Sequence, residues 1–443
     1  MPAWVSSRRR LRGAAAGRWP RLQPLHHNGR DTHHDDEVPA ASRCQAGGPR
    51  AGSALLLAAG RRPQLSSSHV LRSPAATTGR LGAVLRTVGA SEPVRLGPAG
   101  PWLATTLDQA RVVLTDPARF DFPLDVSRRP TPLLRAADRE RGARSPRPTS
   151  PHTTAAQVAR GRAVFNAYLD EELRAHSEGP TDLDGALLLR RPVSRATTSA
   201  VLDPLTDGVD EPTRDAIADG TLRWIDALAP VISSQRNPSR WSSARRAEDR
   251  ARRELERRLA AAGVDDPPAV ATVLAAGIQV PVAAGAWLLV HLAGSPNASS
   301  YEPTHVVWET LRVTPPSWMT ARVARTDSAL AGQTVRAGEV VLVSPLLLGQ
   351  LPDLVPALPT GPLDTFDPDR WRRDDVRPGA WLPFGAGPHA CPGRSLGLAL
   401  LTDLANRAAS WDLEPASATV LDQSRGLFPV PAVVRARLTG AAA

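Results

Sequence analysis

The chain predicts a mostly α-helical fold with a small β region, and three stretches carry that expectation. One is the long uncharged run AVATVLAAGIQVPVAAGAWLLVHLAG, from Ala269 to Gly294, apolar on every side and therefore a buried central helix. The second is the helical pattern SLGLALLTDLANRAA after Arg394, entered from a loop holding three glycines and three prolines between Pro383 and Gly393. The third is a set of short strand-like runs separated by Gly and Pro, such as VRAGEVVLVSPLL.

The first 73 residues stand apart. They hold twelve Arg against four acids and carry +8 of the chain's formal +10, which leaves residues 74–443 nearly neutral. That excludes a basic nucleic-acid surface on the folded domain, although the tail alone binds polyanions nonspecifically. The apolar run Ala54–Ala59 is too short for a membrane anchor, and no signal-peptide core follows the Arg cluster. His26, His27, His33 and His34, with Cys44 beyond, are a conceivable metal set, but nothing periodic fixes them, so the tail reads as disordered. Met1 and Met319 are the only methionines and all 54 basic residues are arginine. A GC-rich coding sequence follows, and with it the expectation that residues 1–73 are a start-site artefact, with a start near Val70.

Within residues 74–443, SEPVRLGPAGPWLATTLDQARVVLTDPARF reads as two short strands and a helix. Pro130 to Pro148 is a Pro- and Arg-rich loop, and Arg135 within it and Arg128 and Arg129 just ahead of it are either solvated charges or a site for an anionic substrate or a carrier-bound acyl group. Helices follow in PHTTAAQVARGRAVFNAYLDEEL and TDLDGALLLRRPVSRATTSAVLD. The Ala269–Gly294 run is long enough to span a bilayer, but Asp266-Pro267 is the start signal of a globular helix, and Gln279, Pro281 and His291 interrupt it. Glu309 and Arg312, three apart, share a helix face that ends at Pro315-Pro316. The same spacing at Glu171/Arg174 and Glu254/Arg257 reads as a solvated surface.

The most specific stretch is FGAGPHACPG, Phe384 to Gly393. Gly385, Gly387 and Gly393 allow positive φ and close approach to a flat ligand, and the prolines stiffen the turn. Cys391 then lies at a helix N-terminus, where the dipole favours thiolate, the form that binds metal. With the only other cysteine in the tail, no disulfide framework exists and a reducing cytosol is expected.

This segment resembles the cysteine-ligand loop of the cytochrome P450 family. Phe384, Gly387, His389, Cys391 and Gly393 fill the pattern of Phe, two residues, Gly, one residue, a basic residue, one residue, Cys, one residue, Gly. The resemblance implies a P450-like haem-thiolate fold over residues 74–443, with haem b as cofactor and Cys391 as the axial ligand of its iron. Phe384 is then expected beside the sulfur and His389 on a haem propionate. Arg322, after the double proline, matches a second propionate position, and His152 and Arg160 are carried over to a third, weaker one. Glu309, Arg312 and Arg370 match a buried charge network. The Ala269–Gly294 helix is expected to cross the distal haem face, where Ala276, Gly277, Gln279 and Val280 occupy its signature.

Two of those places depart from the family. Gln279 stands for an acid and Val280 for a threonine, so the usual proton relay is absent, and Pro281 frees a helix carbonyl that is expected to hold water. Three readings stay open. One is a monooxygenase acting on a hydrophobic small molecule, with protons from a substrate hydroxyl or a Gln279-held water. The second is a peroxide-dependent or non-oxygenating enzyme of rearrangement or coupling, and the third a haem protein that binds a ligand without turnover. The first implies separate electron donors, a ferredoxin and its reductase, steered by arginines such as Arg394. Neither a nucleic-acid nor a membrane partner is expected, and the protein is expected to be a cytoplasmic monomer.

Overall fold

The computed structural model describes residues 79–122, 152–176, 179–205, 208–233, 238–239, 241–355, 363–372, 378–417, 419–422 and 427–438. The Arg-rich extension 1–73, its histidines and Cys44, and Arg128, Arg129, Arg135 and the 130–148 loop lie outside the described residues.

Helix α1 (Gly79–Leu85) leads to strands β1 (Val94–Arg95) and β2 (Trp102–Ala104), helix α2 (Leu107–Thr115) and strand β3 (Phe120–Asp121). Then come α3 (Ala155–Arg174), β4 (Thr181–Asp184), α4 (Gly185–Leu202), α5 (Glu211–Ser233), α6 (Ser243–Ala261) and the long α7 (Pro267–Ala293). Helix α8 (Pro303–Val313) is followed by β5 (Thr320–Ala324), β6 (Ser328–Leu330), β7 (Gln333–Val335), β8 (Val340–Val343) and α9 (Pro345–Leu348). The chain closes with α10 (Arg394–Ala408) and strands β9 (Asp412–Pro415), β10 (Val420–Asp422), β11 (Phe428–Val430) and β12 (Val433–Arg437).

Capping decides where the principal helices begin. Thr154 and Gln157 form a reciprocal capping box at α3, Asp184 accepts from the N–H groups of Ala186 and Leu187 at α4, and Asp266 accepts from Ala269 N–H at α7. The expected mid-chain helix therefore starts later than its sequence suggests, because Thr181–Asp184 pairs with β12 as a strand.

Helices α3, α4, α7 and α10 pack as a bundle. Arg162 of α3 clamps Asp403 of α10 through two bonds of 2.9 and 2.7 Å, with Asn166 donating to the same carboxylate at 3.0 Å, and Arg407 of α10 pairs back to Asp170 of α3. Although α7 is long and apolar enough to cross a membrane, 61% of its most apolar window is buried inside the protein, which makes it the core helix of this bundle.

A mixed sheet of order β1-β2-β8-β5-β3 flanks the helices, with β2 and β8 parallel and the other pairs antiparallel. Glu339, next to β8, fastens the N-terminal strands to it, accepting from the Trp102 indole at 2.9 Å and pairing with Arg95. A second sheet, β4-β12-β9, seals the far side, and the Trp287 indole of α7 donates to Leu427 O at 2.6 Å, tying the core helix to the C-terminal strands.

Candidate active site

The loop ahead of α10 is wound by its own backbone. Gly385 N–H donates to Leu382 O (2.9 Å), Ala390 N–H to Gly387 O (3.0 Å) and Cys391 N–H to Phe384 O (2.8 Å). Gly387, at φ 72°, also lies where the loop touches α2, and a Cβ there would come within 2.6 Å of Leu114 O. Gly393, in contrast, has φ −88° and serves as the N-cap of α10, so the positive φ expected of it is absent.

Cys391 precedes α10 by three residues, and its side chain is exposed while protein atoms crowd around it. Burial pushes the thiol up, against the opposing pull of the Gly393 N–H and the Arg394 guanidinium. Burial thus outweighs the helix terminus, and ligation to a metal would hold the sulfur deprotonated. Phe384 meets Trp308 of α8 edge to face at 6.5 Å, and the Arg394 guanidinium lies over both rings at 5.6 and 5.9 Å.

Arg322 of β5 is only 3% exposed. Its Nη1 donates to Thr320 Oγ1 (3.1 Å) and Ala321 O (3.0 Å), its Nε has no partner, and among the described residues it forms no ion pair. Burial pulls its pKa down to about 10, with Asp121 opposing. A buried guanidinium with no anion is costly unless an anion binds there. Phe122 connects it to the cysteine loop, stacking on Arg322 at 3.8 Å on one side and meeting the His389 ring edge to face at 4.9 Å on the other. Nothing in the sequence singled out Phe122, because its partners lie 200 and more positions away.

Behind the loop sits a fully buried charge cluster. Glu309 accepts from Arg312 Nε (2.8 Å) and Nη2 (2.6 Å), Arg370 Nε (3.3 Å), the Trp371 indole (2.9 Å) and Asp367 N–H (3.0 Å). Arg312 also donates to the carbonyls of Gly349 (3.0 Å), Thr365 (2.8 Å) and Leu363. Burial would raise the Glu309 carboxyl, but Arg312 first, then Arg370 and the Asp367 N–H, hold it below the ordinary carboxylate range. The cluster locks α8 to the segment preceding the cysteine loop, and the rings of Trp371, Trp381, Trp308 and Phe384 continue that contact to the loop itself.

On α7, Ala276 and Val280 lie on an exposed face with Thr272 and Val273, and Gln279 is half-buried beside them. Thr272 and Val273 were not expected at the site, though their spacing of three, four and seven from Ala276 and Val280 puts them on one helix face. The structure turns Gly277 elsewhere. A Cβ there would come within 2.8 Å of Thr197 Cγ2 on α4, so this glycine serves helix packing rather than the exposed face. The carbonyl that Pro281 leaves without its N–H partner is that of Gly277, and Thr197 Oγ1 donates to it at 3.2 Å, so a protein hydroxyl takes the place expected for water.

Of the two further expected propionate contacts, Arg160 is engaged elsewhere and His152 lies near the cysteine loop. Arg160 is paired with Asp203 and approaches Ser199 Oγ at 3.3 Å, because α3 belongs to the helix bundle and this face looks at α4. His152 is exposed just ahead of α3. Only its neighbour Thr153 touches the cysteine loop, donating through N–H and Oγ1 to Pro392 O at 3.0 and 3.3 Å.

The donor set fits a haem. An exposed thiol can ligate iron, an uncompensated buried guanidinium can take a carboxylate, and an uncharged helix face suits a flat apolar macrocycle.

Known proteins agree with this geometry. Residues 304–402 match the sequence profile described as Cytochrome P450. Cyclooctat-9-en-7-ol 5-monooxygenase of Streptomyces melanosporofaciens is 43% identical over 122 residues, 26% of this chain and 25% of that protein. Human lanosterol 14-alpha demethylase is 41% identical over 90 residues, 20% of this chain and 17% of that protein. The chain thus aligns with about a quarter or less of the length of these curated relatives. Solved structures reach further. CYP175A1 from Thermus thermophilus superposes with a TM-score of 0.61 at 18% identity, covering 82% of this chain and 96% of that one. P450 OxyD, which is involved in the biosynthesis of vancomycin-type antibiotics, gives a TM-score of 0.59 at 17% identity, covering 85% and 99%. The segment from residue 304 to 402, which carries Glu309, Arg322, Arg370 and Cys391, thus matches the cytochrome P450 profile, and the chain has the fold of solved P450 structures.

Proposed function

We propose that this protein is a haem-thiolate monooxygenase acting on a hydrophobic small molecule. The observation that carries this reading is the exposed thiol of Cys391 on a loop that Phe122 joins to the buried Arg322 and that Glu309, Arg312 and Arg370 back from behind. Cys391 would ligate the iron, and Arg322 and His389 would hold propionates. Phe384 would shield the sulfur. The bound group supplies the means to activate dioxygen. The protein's part is to bind the substrate along Thr272, Val273, Ala276 and Val280 and to supply protons.

Proton delivery is where this chain differs. Gln279 accepts and donates hydrogen bonds but holds no acidic proton, and Val280 holds none. The proton source is therefore a substrate hydroxyl or a water bonded to the Gln279 amide. Electrons would come from a separate ferredoxin and its reductase, in keeping with a cytoplasmic protein. The likeness to cyclooctat-9-en-7-ol 5-monooxygenase and cyclooctatin synthase of Streptomyces melanosporofaciens supports a substrate of secondary metabolism.

A second reading has Gln279 and Val280 in its favour. A peroxide-dependent enzyme, or one that rearranges or couples its substrate, has no need of the missing acid and hydroxyl.

The ferrous carbon monoxide difference spectrum of the purified full chain tests the ligand. A red-shifted thiolate band that disappears in Cys391→Ser is expected, and its persistence in that variant would sink the reading. Turnover with peroxide alone, and none with a ferredoxin–reductase pair, would select the second reading.

A further inference from the structure

Strand β3 pairs with β5 in a register that sets Phe120 opposite Ala324 and Asp121 opposite Val323, so the next rung sets Phe122 opposite Arg322. Phe120 and Ala324 are each 1% exposed and belong to the hydrophobic core. One step further along the same face the pair is a ring on a cation. Phe122 is half-buried and lies outside that core, and its ring meets two polar side chains. It covers the Arg322 guanidinium at 3.8 Å and meets the His389 imidazole edge to face at 4.9 Å, with the two ring planes at 73°. One ring therefore touches a side chain of the sheet and a side chain of the cysteine loop.

The backbone of Phe122 acts on the same arginine. Asp121 is the acid whose charge reaches Arg322, yet the two form no ion pair among the described residues. Instead the Phe122 N–H donates to Asp121 Oδ1 at 2.7 Å and draws the carboxylate to the end of its own strand. The guanidinium keeps its charge, and its free directions are few. Nη1 is engaged by Thr320 Oγ1 and Ala321 O, the ring covers one face, and Nε has no partner. An anion can reach this cation in its own plane, along the Nε edge.

We propose that Phe122 is the positioning residue that holds Arg322 and His389 as one preset clamp for the two propionates, an inference that rests on the haem reading above. Each contact has a physical reason. An arginine side chain has many rotamers, and freezing them when an anion arrives weakens binding. A ring laid on the guanidinium freezes them beforehand, because a desolvated cation is attracted to the face of the π-system. The edge-to-face contact sets the tilt of the imidazole in the same way. Leucine would fill much of the space of Phe122 but has neither a π-face nor a ring edge. A ring that merely keeps water from the sheet would act alike whatever stands at positions 322 and 389, whereas a positioning ring acts only through them. Coupling between the residues separates the two roles.

The test is a pair of double-mutant cycles on the full, haem-loaded chain, read as the rate of haem transfer to an excess of a haem-free globin. Phe122→Leu is expected to release haem roughly tenfold faster than the parent. In the Arg322→Met background, and again in the His389→Ala background, the same change is expected to add about twofold or less. Phe122→Tyr keeps the ring and is expected to stay within about twofold of the parent. Circular dichroism verifies that each variant is folded. Equal acceleration by Phe122→Leu with and without either partner overturns the proposal, as does a Phe122→Tyr protein that loses haem as fast as Phe122→Leu. A parent without the thiolate band in its carbon monoxide difference spectrum would overturn the haem reading and the clamp with it. A parent that shows the band beside additive variants overturns the clamp alone.

Discussion

The hydroxyl of Thr197 donates to the carbonyl oxygen of Gly277 at 3.2 Å, on the turn of the core helix from which Pro281 has removed the regular N–H partner. The same threonine's methyl group abuts the face of Gly277 that bears no side chain. Gly277→Ala would set its Cβ 2.8 Å from that methyl and is expected to cost about 1–3 kcal/mol of stability. Thr197→Ser keeps the hydroxyl and removes the methyl, so the double variant should recover most of the loss. Thr197→Val should cost about 1 kcal/mol by leaving the carbonyl unpaired. Urea denaturation of the four proteins measures all three effects, and a double variant no better than Gly277→Ala would place the strain elsewhere.

Arg322 makes a prediction of opposite sign in two states. In the haem-free protein it is a buried cation without an anion, so Arg322→Met should leave stability unchanged or raise it. In the haem-loaded protein the same change removes a charge-assisted bond and should weaken haem retention by about 1.5–3 kcal/mol, ~10- to 100-fold in affinity. Haem transfer to an excess of a haem-free globin, beside denaturation of the apoprotein, reads both. A variant that destabilises the apoprotein as strongly as it loses haem would show that Arg322 is merely structural.

What could be read in the chain follows from how local each feature is. The cysteine loop and the Glu309/Arg312 pair are set by spacing within ten residues, and a paired acid and base in an apolar helix have few fates besides a buried ion pair. Arg370 was legible through FDPDRW, although the same segment's Trp371 indole and Asp367 N–H also belong to the cluster. Helical periodicity tells which residues share a face without telling which neighbour that face meets. Gly277 and Arg160 were misjudged on that account, since the partner of one is Thr197 of α4 and of the other Asp203, the residue capping the end of α4. Phe122 carries no motif and emerges only once distant elements are packed.

The Glu309 cluster should respond to asymmetry more than to charge. Glu309→Gln leaves Arg312 and Arg370 buried without a carboxylate, and a loss of about 3–5 kcal/mol is expected. Glu254→Gln, at the same spacing on the surface, should leave stability close to the parent's, because its partners are solvated. Comparable losses from the two variants, read by thermal denaturation of the haem-loaded proteins, would contradict the buried network as the lock on the cysteine loop.

His291 gives the protein an acid-sensitive step in the core. Its ring is fully buried on α7, stacked on Phe366 at 4.6 Å and near Trp287 at 5.6 Å, with Nε2 bonded to Thr314 Oγ1 at 2.9 Å. Because that hydroxyl donates onward to Thr310 O, the imidazole donates through Nε2 and stays neutral. Burial pulls its pKa from 6.5 to about 3, with Glu309 opposing and Arg312 assisting. The unfolded chain therefore takes up a proton below about pH 6.5 that the folded protein refuses until about pH 3, and stability falls through that window as pH falls. The slope is about 1.4 kcal/mol per pH unit, or roughly 2 kcal/mol lost by pH 5, and above pH 6.5 the residue contributes no pH dependence. Glu309 does not share the window above pH 5, since its carboxyl is held below the ordinary range. His291→Gln should be less stable than the parent at pH 7, from lost stacking, yet lose less on going to pH 5. Parallel stability curves for parent and variant between pH 7 and 5 would mean that His291 accepts its proton in the folded state and that the core around Phe366 opens to admit it.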